Sequence, residues 1–146
     1  MSDWLVVMTE DNWEICVEHR LLALTLRAQR GLASMQEDDK VWVYINRKRV
    51  DRQTPNVRRL RAVVRVKGPV RRLDASPWKP RNKETFSLAR EIVVERQFDV
   101  PADVLRRLSF AGPSPRWGTN LLNAPLRLTP YDVQQLEECS RAPEAK

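Results

Sequence analysis

The chain has 146 residues, enough for one domain with a real core and too few for two ordinary ones. With 42% hydrophobic and 31% charged residues the composition is globular and not disordered, and no window approaches the roughly 18 uninterrupted apolar residues of a membrane helix. The net charge is +7 and unevenly placed: positions 46 to 72 hold eleven Lys/Arg against one acid, Asp51, while the rest holds fifteen basic and eighteen acidic residues.

In chain order, Trp4 to Met8 is a short apolar run with β-branched residues and reads as a buried strand. Thr9 is placed to cap a helix starting at Glu10, with Glu10, Asp11 and Glu14 suiting the positive end of its dipole. Trp13, Cys16 and Val17 fall at helical spacing on its buried face, and His19 sits where a cation favours the helix C-terminus. Leu21 to Leu26 is apolar, and Arg27 to Gly31 reads as a loop. Glu37 to Lys40 is a turn before the strand Val41–Ile45, and Arg47 to Asn56, with Pro55, is an exposed connection.

Leu60 to Val66 is the next strand, ended by Gly68-Pro69, and 74 to 83 is a long loop carrying Trp78. Thr85 to Val94 is a further strand, and Pro101 to Leu108 a short helix with proline in its first turn. Ala111 to Arg116 is a turn and Leu126 to Leu128 a last strand. Thr129-Pro130 opens a final helix through Cys139 with Val133 and Leu136 inward. The expected architecture is α+β: a small mixed β-barrel of five to six strands with short helices at the strand junctions. Residues 1–141 form a single domain, and 142–146 a disordered tail.

Catalytic patterns are missing. The glycines at 31, 68, 112 and 118 are too scattered for a phosphate-cradling loop, and no GxSxG, HExxH or CxxC occurs. His19 has no nucleophile in a recognisable context beside it, so no catalytic residue and no enzyme is expected. One histidine and two distant cysteines, Cys16 and Cys139, nearly exclude a His/Cys zinc site; no metal and no cofactor is expected. The first residues lack the basic stretch and apolar run of a secretory leader, so a cytoplasmic address with reduced, buried thiols follows.

Clustered basic charge is the electrostatic footprint of a partner with a phosphate backbone, DNA or RNA. The candidates for phosphate contact are Arg27, Arg30, Arg47, Arg49, Arg58, Arg59 and Arg61. Trp4, Trp13 and Trp42 belong to strand or helix patterns and read as core. Trp78 and Trp117 sit in proline-containing loops beside basic residues, where an indole either plugs the end of a barrel or stacks on a splayed-out base.

Thr9-Glu10-Asp11-Asn12-Trp13-Glu14, then His19, then Asp39-Lys40-Val41-Trp42-Val43-Tyr44 resembles the first half of the EVE domain. Glu84-Thr85-Phe86, Leu108-Ser109-Phe110, Arg116-Trp117-Gly118 and Thr129-Pro130-Tyr131-Asp132-Val133 are similar to its closing segment. Each motif is weak alone; their order over nearly the whole chain is the signal. The resemblance implies a PUA-like fold related to YTH readers of methylated adenine. It implies a nucleic-acid-binding module that holds a modified base in an aromatic pocket formed by Thr9, Asn12, Leu22, Ala23, Trp78 and Trp117. Leu22-Ala23-Leu24 stands where the family commonly has Trp-Gly-Val, which removes one aromatic wall. Two alternatives stay open: a general RNA-binding accessory protein without a base pocket, and a nuclease like some members of the neighbouring ASCH group.

Overall fold

A computed structural model describes residues 2–24, 28–49, 56–78, 88–111 and 124–141. Among the described residues seven strands form one mixed sheet: β1 (Asp3–Met8), β2 (Leu21–Ala23), β3 (Lys40–Arg47), β4 (Asn56–Val66), β5 (Arg71–Arg72), β6 (Leu88–Pro101) and β7 (Leu126–Arg127). The order is β2-β6-β4-β3-β1-β7, with β5 also paired to β6. β1 runs parallel to β3, and the other pairs are antiparallel. The described residues also form three α-helices, α1 (Glu10–His19), α2 (Gln29–Ser34) and α3 (Pro130–Arg141), and a 3-10 helix (Ala102–Arg107), which cover the sheet. The expected α+β architecture is present, as a curled half-barrel.

Side chains on a strand alternate between its faces, and here both faces are covered. Trp4, Val6 and Met8 of β1, Val41, Val43 and Ile45 of β3, and Ala62, Val64 and Val66 of β4 enter one core, with Trp13, Cys16, Leu22, Leu32 and Trp78. Leu5, Trp42, Tyr44, Leu60 and Val63 enter the other, closed by Val104 and Leu105 of the 3-10 helix and Leu136 of α3. That double burial is why β1 and β3 read as continuous apolar runs.

Three elements differ from expectation. Within the loop expected at 27–31, Gln29 to Gly31 form the first turn of α2. Its Gly31 faces Pro125 so closely that a Cβ would lie 2.1 Å from the ring's Cγ, so docking fixes the helix despite its poor propensity. β6 continues past Val94 to Pro101 because Glu95 and Asp99 meet arginines of β4 and not solvent alone. β5, two residues long, carries too little pattern to be read. Thr9 takes the N-cap position of α1 with extended backbone, but its hydroxyl donates to Asp11 Oδ1 and caps no amide. At α3 the expected opening is a reciprocal cap: Asp132 N donates to Thr129 Oγ1 (3.2 Å) and Thr129 N to Asp132 Oδ2 (3.1 Å). The structure leaves both thiols free, Cys16 buried and Cys139 half-buried.

Candidate nucleic-acid interface

Asn12 and Cys16 are one helical turn apart, so they share a face of α1, and both are buried. The Cys16 sulfur, fully buried, accepts a hydrogen bond from Trp78 Nε1 at 3.2 Å. The backbone N–H of Ala23 also reaches it. Burial pushes the Cys16 thiol up to about 11, with those donors opposing, so it stays protonated and unreactive. Leu22, Ala23 and Trp78 therefore gather in the core against α1. Thr9 stands at the head of the same helix, 7% exposed.

Trp78 is 4% exposed and belongs to the core, packed as a plug would be. Trp117 and Arg27 lie outside the described residues.

The sequence reading missed Asn46. In the parallel register Met8 is level with Ile45 at the end of the ladder, with Thr9 and Asn46 the next residue on each chain. The Asn46 Oδ1 atom is buried with no hydrogen-bond partner among the described residues, an exception in folded proteins. Asp11 N donates to Lys48 O (3.1 Å), tying the chain beyond β3 to the first turn of α1. The signal available in the sequence was the polar step Asn46 directly after the apolar run 41–45.

The cations divide into two groups. Arg59 Nε donates to Asp99 Oδ1 at 2.7 Å, and Arg61 lies 3.3 Å from Asp99 and 3.5 Å from Glu10. Arg65 is bound by Glu95, and Lys67 pairs with Asp38 at 2.6 Å. These pairs offset part of the charge of Arg59 and Arg61, two of the candidates for phosphate contact, with Asp99 shared between them. Arg47 and Lys48 at the end of β3 and Arg58 at the start of β4 form no ion pair among the described residues, and Arg49 beside them is exposed. Arg58 has a left-handed φ of 53° at an irregularity in the β3–β4 ladder. Its charge reaches Tyr44, where burial raises the phenol's pKa and Arg58 offsets part of that rise. Arg30, on α2, is exposed.

An open depression of about 260 Å³ lies between α1 and the sheet, lined by Glu10, Trp13, Glu14, Val17, Arg61 and Gln97. Its two carboxylates disfavour phosphate there. Among the described residues no cluster of His, Cys, Asp and Glu is arranged to hold a metal, and no helix is long and apolar enough to cross a membrane.

No family model and no curated protein matches the chain. Solved structures do. The YTH domain of the Zygosaccharomyces rouxii MRB1 protein, in complex with N6-methyladenosine RNA, is 11% identical with a TM-score of 0.63, covering 98% of this chain and 90% of that one. The Pho92 YTH domain in complex with m6A is 11% identical at TM-score 0.62, covering 99% and 85%. A structural-genomics protein from Pseudomonas putida is 13% identical at TM-score 0.57, covering 95% and 99%. The chain thus has the fold shared by YTH domains over nearly its whole length, the PUA-like architecture expected from its motifs.

Proposed function

We propose that this chain is an EVE-type module that binds nucleic acid and reads a modified, methylated base without acting on it. The observation that carries the reading is the cluster packed in the core against the last turn of α1. Leu22, Ala23 and Trp78 gather with Cys16, and Asn12 lies one turn back on the same helix face. A base needs a flat apolar wall and one or two matched hydrogen bonds, and this set supplies both kinds of group. Arg47, Lys48 and Arg58 supply charge for the backbone, Arg49 and Arg30 extend it, and the ligand is DNA or RNA. The solved YTH neighbours with bound RNA support the same site class. The module works in the cytoplasm, with no cofactor.

Because Trp78 is only 4% exposed, a base reaches it through an opening of this end of the core. That burial, with aliphatic Leu22 as a wall, favours a second reading: a general nucleic-acid binder that uses the cations and no pocket.

Equilibrium binding of the full chain to labelled single-stranded RNA and DNA decides between them. The oligonucleotides differ at one central base: adenine or N6-methyladenine, cytosine or 5-methylcytosine. Burying one methyl group is worth about 0.8 kcal/mol, so a reader prefers at least one methylated strand by about fourfold. Equal affinity across every pair leaves only the general binder, and shortening of the labelled strand would show a nuclease.

A further inference from the structure

We infer that Cys16 is a positioning residue: its sulfur holds the Trp78 indole against the Leu22–Ala23 strand and thereby sets the width of the base site. The inference rests on the reading of that site as a base pocket. A buried indole N–H requires an acceptor, and Trp78 finds one 62 positions away in the chain, at 3.2 Å. The same sulfur is met by the Ala23 amide, so one atom connects α1, β2 and the Trp78 segment. An apolar residue of similar size would fill the space equally well; what it lacks is the acceptor.

The choice of acceptor has a consequence. A thiol sulfur is a weak acceptor, so the indole is oriented without being locked, which suits a wall that must move when a base enters. The protonated state imposed by burial removes nucleophilic chemistry at this sulfur, leaving position as its contribution.

The test compares wild type with Cys16→Ala and Cys16→Ser, using the best methylated strand and its unmethylated twin. Cys16→Ala is expected to reduce the methyl preference by at least half while changing affinity for the unmethylated strand less than twofold. Cys16→Ser keeps an acceptor and is expected to restore most of the preference. In 15N NMR spectra the Trp78 indole N–H, assigned by its loss in Trp78→Phe, should shift and exchange faster with solvent in Cys16→Ala. Equal weakening of both strands with a lower Tm and an unchanged ratio would mean that Cys16 merely packs, and overturns the inference alone. A wild type without methyl preference overturns the pocket reading itself, and the specificity role with it. If Cys16→Ala fails to fold, Cys16→Thr provides the comparison: a preference equal to wild type despite a displaced indole N–H resonance also refutes the proposal.

Discussion

Asp39 shows how much one buried carboxylate can organise. It is 2% exposed and accepts hydrogen bonds from Ser2 N (2.8 Å), Trp4 Nε1 (3.0 Å) and Gln36 N (2.9 Å). Burial alone would raise its pKa, but the Gln36 and Ser2 amides and the Trp4 indole outweigh it and hold the carboxyl below its usual value. A carboxyl depressed in the fold contributes its stability above the unfolded value near about 4, and loses it as pH falls through the folded value. Thermal melts should therefore show Tm falling below about pH 4, with a shallower fall in Asp39→Asn. Asp39→Ala, which orphans three donors, should cost about 2–4 kcal/mol at neutral pH. An Asp39→Ala protein that melts like wild type would remove the carboxylate from any structural role. In sequence Asp39 looked like one acid of an exposed turn, because two of its three partners, Ser2 and Trp4, lie far away in the chain and leave no local mark. Trp4, Trp13 and Trp42 were legible as core because strand and helix periods place them there.

The same contrast holds for elements. β1 and β3 were readable as continuous apolar runs and α1 by its helical spacing. α2 was not: Gly31 and its polar neighbours argue locally against a helix, and the reason it forms lies in Pro125 and in Arg90. That arginine is 6% exposed, its Nη1 donates to the carbonyls of Leu32 and Met35 at the end of α2, and its Nε donates to Gly68 O. Gly31→Ala separates the two influences by sign. Helix propensity alone would stabilise by up to about 1 kcal/mol. The clash with Pro125 instead predicts a loss of about 1–3 kcal/mol, as overpacking does. A chemical denaturation curve decides it, and any rise in midpoint at constant slope would mean that α2 does not dock through this glycine.

At the scale of the whole molecule, the sequence shows where the positive charge is but not how much of it is spent internally. The stretch 46–72 carries eleven cations, and on sequence grounds all of them could face a phosphate chain. Folding places Arg59 and Arg61 opposite Asp99, Arg65 opposite Glu95 and Lys67 opposite Asp38, acids that lie outside that stretch. It also sends Arg71 and Arg72 to pair with Leu88 and Ala89 at the start of β6, away from the end where Arg59 meets Pro101. Among the described residues, what stays near Thr9 and Asn46 is Arg47, Lys48 and Arg58, with Arg49 beside them. Four or five phosphate contacts on a single strand give a slope of log affinity against log salt of about −3, whereas eleven would give about −8. Titrations of a single-stranded oligonucleotide from low to moderate salt should therefore return the smaller slope. Lys48→Ala and Arg58→Ala should each flatten it by about 0.7, while Arg59→Ala should leave it unchanged, since that guanidinium is already engaged by Asp99. A slope near −8, or an Arg59→Ala protein that loses as much as Lys48→Ala, would mean that the cross-strand pairs open on binding and that the whole β4 face takes part. The physical reason to expect otherwise is geometric. Arg59 and Asp99 sit on neighbouring strands of one ladder, so a phosphate that takes the arginine leaves the carboxylate beside it, and the repulsion offsets what the new contact contributes.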